Sequence, residues 1–192
     1  MVSKLYTKVE KFVIDSFNRV GQTYQIKHFK RTAYWIKKLR PDADEALLIA
    51  GIAHDIERAF RKSISHKQIK KSAKGFSDEK YIGPHQREGA EIIADFLKKE
   101  GADGKLIRRV KMLISKHEIG GNADQDLLKD ADSISFFENN VTNFIKLMSK
   151  MKAEKINGKF DWMFNRITSK KAKKIVSFWY KDAINQLKQK NN

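Results

Sequence analysis

Cysteine is absent from the 192-residue chain, and proline occurs only twice. Without cysteine there is no disulfide, no thiolate nucleophile and no cysteine-ligated zinc site, so any metal must bind through nitrogen and oxygen. The longest apolar run, residues 46–53, is shorter than the roughly 20 residues of a membrane span. Residues 1–12 are charged and lack an apolar signal-peptide core, so we expect a cytoplasmic protein that does not enter a membrane.

Acidic residues are scarce as well, with 23 Asp and Glu against 40 Lys and Arg and a formal charge of +17. This excess favours anionic partners: a small phosphorylated substrate, nucleic acid or an acidic surface. A solvated, lysine-rich surface explains the same excess without a partner. Composition does not choose between these alternatives, and a homodimer is expected only because dimers are common.

Apolar residues recur every three to four positions along nearly the whole chain, which is the spacing of one helix face. Residues 46–60 are apolar on most sides, which predicts a central helix. No alternation of period two, internal repeat or clear linker interrupts this pattern. The sequence therefore predicts an all-α fold, a single domain over residues 1–192.

Three regions of this domain differ in character. The core is expected over about residues 20–140. Within it, residues 61–83 are rich in Lys and Ser and carry no sustained apolar stripe, which predicts an insertion loop that ends where Pro84 starts the next helix. Residues 141–192 are expected to form a C-terminal helical extension.

Four of the five histidines share one setting, an apolar helix with acidic residues nearby. They are His28, His54, His85 and His117, and the acids are Asp55, Asp130 and Asp132. Metal sites in helical bundles are built from imidazoles and carboxylates that project inward from several helices. The fifth, His66, falls in the 61–83 segment and is expected to be an exposed loop residue.

The order of these residues resembles the pattern of the HD superfamily, in which a His is followed by a His-Asp pair and a later Asp. HFKRTA at 28–33 is similar to the H-x-x-R-V-A start of the guanosine tetraphosphate hydrolases of that superfamily. LLIAGIAHDIE at 47–57 looks like its apolar helix ending in HD, and LLKDADSIS at 127–135 resembles its late A-D-x-L motif. The resemblance covers about residues 20–140 and implies an HD-type helical bundle with divalent-metal-dependent phosphohydrolase activity.

The resemblance also implies a ligand set. By matching position, one metal ion would be bound by His28, His54, Asp55 and Asp132. Asp130 lies two residues earlier, on a different helix face, and is expected to cap a helix or contact a cation instead.

Two further segments, GPHQREGAEIIADFL and ISKHEIGG, resemble the third and fourth histidine segments of HD members with two metal ions. His85 and His117 would then be ligands of a second ion, bridged to the first by Asp55. Alternatively, both histidines contact substrate phosphate or water in a one-metal enzyme. Some dinuclear members carry a glutamate one turn before the first histidine, whereas this chain has Tyr24 there.

The mixed His and carboxylate donors suit Mn²⁺, Fe²⁺, Co²⁺, Ni²⁺, Zn²⁺ or Mg²⁺ without choosing among them. The implied reaction is hydrolysis by metal-activated water, with Asp55 and Glu57 as catalytic candidates. Glu57 would be a general acid or base, or else a residue of the helix surface. Nearby cations would bind the substrate phosphate, or else belong to solvated helix faces; they are Arg31, Arg58, Arg61 and Lys116.

Two other functions use the same features. HD-fold di-iron oxygenases, which cleave carbon–carbon or carbon–phosphorus bonds, have similar ligands. A non-catalytic, basic module for regulation or nucleic-acid binding is the second alternative, because residues 169–189 are lysine-rich with aromatics among them. We expect those aromatics to face inward instead, with an inward set of Ile175, Phe178, Trp179, Ile184 and Leu187.

Overall fold

The computed structural model describes residues 3–60, 77–149 and 151–191, and within these ranges it contains helices and no strand. The predicted all-α fold is confirmed. The helices are α1 (Lys4–Arg19), α2 (Tyr24–Leu39), α3 (Glu45–Ala53), α4 (Glu79–Lys99), α5 (Gly104–Ile114), α6 (Ala123–Asn139), α7 (Val141–Lys146), α8 (Ala153–Asn165) and α9 (Lys170–Asn191). None of the described helices is long and apolar enough to span a bilayer.

Helix boundaries follow local sequence signals. The Asp44 carboxylate accepts a hydrogen bond from the Leu47 amide at 3.0 Å and so caps α3. Asn122 and Gln125 form a reciprocal capping box at the start of α6. Helix α2 ends at Leu39, just before Arg40 and Pro41, because the residue that precedes a proline disfavours helical geometry.

The predicted helix start at Pro84 is wrong. Helix α4 begins at Glu79, where the Asp78 carboxylate caps it, and Pro84 lies inside the helix. Proline lacks an amide hydrogen and crowds the preceding turn, but near a helix start few backbone bonds are lost. The expected insertion loop therefore includes helical residues at 79–83, and its residues 61–76, with His66, lie outside the described part of the chain.

Helix α3 is the centre of the larger hydrophobic core, as its sequence predicts. Almost every side chain from Ala46 to Ala53 is buried. Helices α1, α2 and α5 pack against α3, and α6 packs along α2. Because α1 contributes Val9, Val13 and Phe17, this core begins before the expected boundary near residue 20.

The C-terminal helices share a second apolar cluster with the end of α6. The inward face of α9 is formed by Ala172, Val176, Ala183 and Leu187. The expectation that Phe178 faces inward is wrong, because it is 76% exposed. It lies two residues after Val176, about 200° around the helix, and therefore on the opposite side.

Two helical glycines give a matched test of packing. A Cβ added at Gly51 would come within 2.7 Å of Ile36 Cδ1 and 3.1 Å of Ala33 Cα, whereas at Gly158 it would meet no described heavy atom within 4 Å. We expect Gly51→Ala to lower the free energy of unfolding by about 1–3 kcal/mol through overpacking. Gly158→Ala should raise it by about 0.5–1 kcal/mol. Urea unfolding of both variants measures the difference, and equal shifts would contradict the close approach of α2 and α3.

Candidate metal centre

The His-Asp pair lies at the end of α3, not along the side of a continuous helix as the sequence suggests. The helix stops at Ala53, and Asp55 has φ −102° and ψ 14°, outside helical geometry. The chain continues as a short 3₁₀ turn, Ile56–Ala59. Because the backbone leaves helical geometry at Asp55, the side chains of His54 and Asp55 are not held about 100° apart as they would be on a helix. Both side chains can therefore reach the same region.

The structure brings all six predicted ligands together from different elements. His28 comes from α2, His85 from α4 and Asp132 from α6, while His117 lies in the turn after α5. Their exposed fractions, with those of His54 and Asp55, are 5% or less. Buried polar groups in such number require partners, because an unpaired one costs about 1–3 kcal/mol.

The six residues form two groups, in each of which the potential ligand atoms lie within 4.8 Å of one another. In the first, Asp132 Oδ1 is 3.1 Å from His28 Nε2 and 3.4 Å from His54 Nε2. In the second, Asp55 Oδ1 is 2.8 Å from His85 Nε2 and 3.7 Å from His117 Nε2. These two buried groups, each with two histidines and one aspartate, could hold metal ions.

The two groups are adjacent, and Asp55 lies between them. Its second oxygen, Oδ2, is 3.7 Å from His54 Nε2 in the first group. The rings of His54 and His117 pack edge to face with centroids 5.2 Å apart. The arrangement differs from the ligand set that the resemblance implies, because Asp55 approaches His85 more closely than it approaches His54. Asp55 still lies between the two groups, where it could bridge two ions.

The Nδ1 atoms of all four histidines contact groups that can accept a hydrogen bond. His54 and His117 contact the carbonyl oxygens of Gly51 at 3.0 Å and Ile114 at 2.7 Å. A carbonyl only accepts, so Nδ1 carries the proton in both rings and, in the neutral ring, Nε2 carries a lone pair. Both Nε2 atoms are buried without a hydrogen-bond partner among the described residues.

In the other two histidines, His85 and His28, Nδ1 also lies next to a hydrogen-bond acceptor. His85 Nδ1 lies 2.7 Å from Glu57 Oε2. His28 Nδ1 lies 2.9 Å from Ser135 Oγ, whose hydroxyl donates to the His28 carbonyl at 2.7 Å and so leaves a lone pair for the ring. A ligating histidine usually donates its other nitrogen to such an acceptor, which orients the ring.

Charges within the site keep its carboxylates ionised. Burial alone would raise the pKa of Asp55, but Arg58 and His54 hold it well below its usual value. Burial likewise opposes ionisation of Asp132, whose pKa is held well below normal by Arg166 and His54. Burial would lower the pKa of His54, but Asp55 and Asp132 raise it to about 9. The two carboxylates that attract a proton to His54 would attract a metal cation at the same place.

Glu57 holds His85 and does not lie among the ligand atoms, so we expect it to act by orienting that ring. Glu57→Gln should weaken metal binding about 10- to 100-fold, because a glutamine amide accepts the Nδ1 proton more weakly than a carboxylate does. Glu88→Gln, an exposed change one turn after His85 on α4, is the matched control. Titration with a competing chelator measures both affinities. Equal affinities in the two variants would contradict the orienting role.

The four predicted phosphate-binding cations fall in different places. Arg58 is at the site, with Nη2 3.1 Å from Asp55 Oδ2. Arg31 instead makes two hydrogen bonds to Glu138, at 2.8 and 2.7 Å, and stacks over Tyr34. Lys116 is exposed in the turn that carries His117, and Arg61 lies outside the described residues. The phosphate-binding role of each stays a prediction.

Three charged residues at the site were not predicted. Arg166, at the end of α8, donates to Asp132 Oδ2, Glu118 Oε2 and Ser133 Oγ. Lys159, also on α8, is 7% exposed. Glu118 directly follows His117, and its position next to a predicted ligand was the one signal that sequence offered for it. Burial would raise its pKa, which Arg166 and Lys159 lower to about 2.

Asp130 has a structural role, as the sequence suggested. Its two carboxylate oxygens accept hydrogen bonds from the amides of Thr168 and Ser169, at 2.9 and 2.8 Å. These amides precede α9, so Asp130 stabilises the start of a different helix from its own. It therefore attaches the last helix to α6, two residues before Asp132.

The residues present fit a metal centre in their chemistry. The donors are two imidazoles and one carboxylate in each group, the nitrogen and oxygen set expected of a chain without cysteine. Two of the imidazole Nε2 atoms are buried without a hydrogen-bond partner among the described residues, and in the neutral rings a cation would satisfy the lone pair of each. The Nδ1 contacts orient the four rings so that their Nε2 atoms lie within reach of Asp55 or Asp132.

Comparisons with known proteins give one match. No curated protein matches the chain, and no solved structure does. A family model described as a domain of unknown function, DUF4202, matches residues 13–187, which include both groups of potential ligands and all of α2 to α8. The chain therefore belongs to the DUF4202 family.

Proposed function

We propose that the protein is a metal-dependent phosphohydrolase that cleaves a phosphate ester or anhydride in a nucleotide or another small phosphorylated metabolite. One observation carries this proposal: two adjacent, buried His₂Asp groups in which the histidine Nε2 atoms and an aspartate oxygen lie close enough to bind one ion. We assign one divalent ion to each group. Paired ions are a common device for displacing a group at phosphorus, because each neutralises one of the two oxygens involved.

The residues have distinct roles in this proposal. Bound ions would supply Lewis acidity toward a water molecule and a phosphoryl oxygen. His28, His54 and Asp132 would hold the first ion, His85 and His117 would hold the second, and Asp55 contacts both groups. Glu57 orients His85 through Nδ1. Arg58 keeps Asp55 ionised and places a guanidinium next to the reacting phosphate, where it offsets developing charge.

The cations around the site favour phosphate chemistry over the oxygenase alternative. Arg58, Lys159 and Arg166 all interact electrostatically with Asp132. A phosphate that is attacked by water gains negative charge that such cations offset, whereas cleavage of an uncharged carbon–carbon bond by dioxygen at iron does not require them. The +17 charge of the chain acts in the same direction, because it concentrates anionic substrates near the surface.

The test is a substrate panel. The purified protein is supplied in turn with Mn²⁺, Fe²⁺, Co²⁺, Ni²⁺, Zn²⁺ or Mg²⁺, and phosphate release is measured from nucleoside mono-, di- and triphosphates and from aryl phosphates. We expect chelator-sensitive release from at least one substrate, lost in His54→Ala and kept in the surface variant Asp95→Ala. Protein that retains iron, consumes dioxygen with an organic substrate and releases no phosphate from any compound would contradict the proposal.

A further inference from the structure

The C-terminal extension supplies two buried cations to the metal centre, although the HD resemblance stops near residue 140. Lys159 lies on α8 and Arg166 directly follows that helix, while a third cation, Arg58, approaches from the 3₁₀ turn after α3. Residues 141–192 are therefore not only an appendage to the core. They complete one wall of the site, and the chemistry of that wall indicates what the site binds.

Arg166 and Arg58 differ in how many of their side-chain nitrogens already have partners. Arg166 has its Nε and both terminal nitrogens on Ser133, Glu118 and Asp132, so it positions carboxylates. Arg58 has Nη2 on Asp55, while its Nε is buried without a hydrogen-bond partner among the described residues. A buried guanidinium donor in that state is a place where an additional acceptor fits.

Lys159 is held in an unusual place for an ammonium group. Its Nζ lies 4.3 Å from the centre of the Trp162 ring and 5.8 Å from that of Phe136. Burial lowers the pKa of Lys159 to about 8; Glu118 opposes this, and the nearby charges of Arg166 and Arg58 add to it. Like charges crowded at a buried position are stabilised when an anion binds among them.

The charge balance of the site indicates how much negative charge that anion carries. Among the described residues, the site contains four carboxylates and three cations. The carboxylates are Asp55, Glu57, Glu118 and Asp132, and the cations are Arg58, Lys159 and Arg166. With neutral histidines the site carries one net negative charge. Two divalent ions would change this to about three positive charges, which a buried site cannot keep uncompensated.

We propose that Lys159 and Arg58 form a phosphate subsite beside the metal centre, and that the substrate presents a doubly charged terminal phosphate, not an internal diester. This inference rests on the proposed function. A terminal phosphate dianion offsets most of the excess charge, whereas a diester carries one negative charge. The burial of all six ligands also suits the end of a small molecule better than the middle of a polymer.

The experiment is calorimetric titration of Mn²⁺-loaded protein with inorganic phosphate and with dimethyl phosphate, a diester monoanion. We expect wild-type protein to bind inorganic phosphate at least 10-fold more tightly than dimethyl phosphate. Lys159→Met, which keeps an unbranched chain over Trp162, should weaken phosphate binding about 30-fold, the loss of one buried charge-assisted hydrogen bond. Arg58→Gln tests the subsite independently and should weaken phosphate binding by a similar factor.

Lys152→Met is the matched control, because it removes the same charge from an exposed position at the start of α8 and should leave phosphate binding unchanged. Bound manganese is counted in every sample. Variants that keep their manganese and bind phosphate like wild type overturn the subsite and leave the proposed function standing. Equal affinity for the two anions overturns the terminal-phosphate assignment. Wild-type protein that binds no manganese overturns the proposed function. The subsite is then overturned as well, unless phosphate binding still depends on Lys159.

Discussion

Replacing Arg166 with methionine should lower the free energy of unfolding of the metal-free protein by about 3–5 kcal/mol, the loss expected when one partner of a buried ion pair is removed. The Arg166 side chain is 6% exposed and donates to two buried carboxylates, Asp132 and Glu118. Without it, both remain buried beside each other with their principal cation gone. Urea denaturation measures the change.

Arg109→Met is the control for this prediction. Arg109 also joins two carboxylates, Asp44 and Asp124, but its side chain is 32% exposed, so its loss should cost about 1 kcal/mol or less. Adding Glu118→Gln to the Arg166 variant should restore part of the stability, because one unpaired charge is removed. Equal destabilisation by the Arg166 and Arg109 variants would show that the buried network contributes no more than a surface pair.

Replacing Asp55 with asparagine should reduce phosphate release at least about 10³-fold. The change keeps the size of the side chain but removes the charge that faces His85, His117 and Arg58. The effect should exceed the 10- to 100-fold loss typical of residues that only orient a ligand, because Asp55 contacts both groups. Steady-state rates across metal concentrations measure it.

Asp95→Asn is the control for Asp55, since it makes the same substitution at an exposed position on α4. Its rate should equal that of wild type. If the Asp55 variant lost activity at low metal concentration but recovered fully with excess metal, Asp55 would have an affinity role alone. A rate within a few-fold of wild type at every metal concentration would exclude Asp55 from the site.

The fold could be predicted from the sequence where periodicity and capping signals agree. The apolar spacing over α1 and α2 gave the correct helices, because burial of an apolar face dominates helix packing. The apolar run at 46–60 gave the central helix α3, but that helix ends at Ala53. The helix start predicted from Pro84 was wrong, because the preference of proline for the first turn of a helix is weaker than the capping of α4 by Asp78. The inward orientation predicted for Phe178 was wrong, because the size and hydrophobicity of a side chain do not determine which side of an amphipathic helix it occupies.

The candidate ligands could be identified from sequence because histidines are few and their order matched a known pattern. The wall that surrounds them could not. Lys159 and Arg166 belong to a lysine-rich C-terminal segment in which a buried cation looks like any solvated one. Arg31 lies one turn from His28 on the same helix, but its long side chain reaches Glu138. Side-chain direction is set by tertiary partners, which spacing does not reveal.

The central claim is that two adjacent His₂Asp groups each hold a metal ion. Elemental mass spectrometry of the protein purified without added metal, together with protein soaked in Mn²⁺ or Ni²⁺ and desalted, tests it directly. We predict about two transition-metal equivalents per chain, and about one in His85→Ala, which removes a ligand from the second group alone. No bound metal in any sample would contradict the account, and one equivalent in wild type would leave His85 and His117 without the ligand role assigned to them.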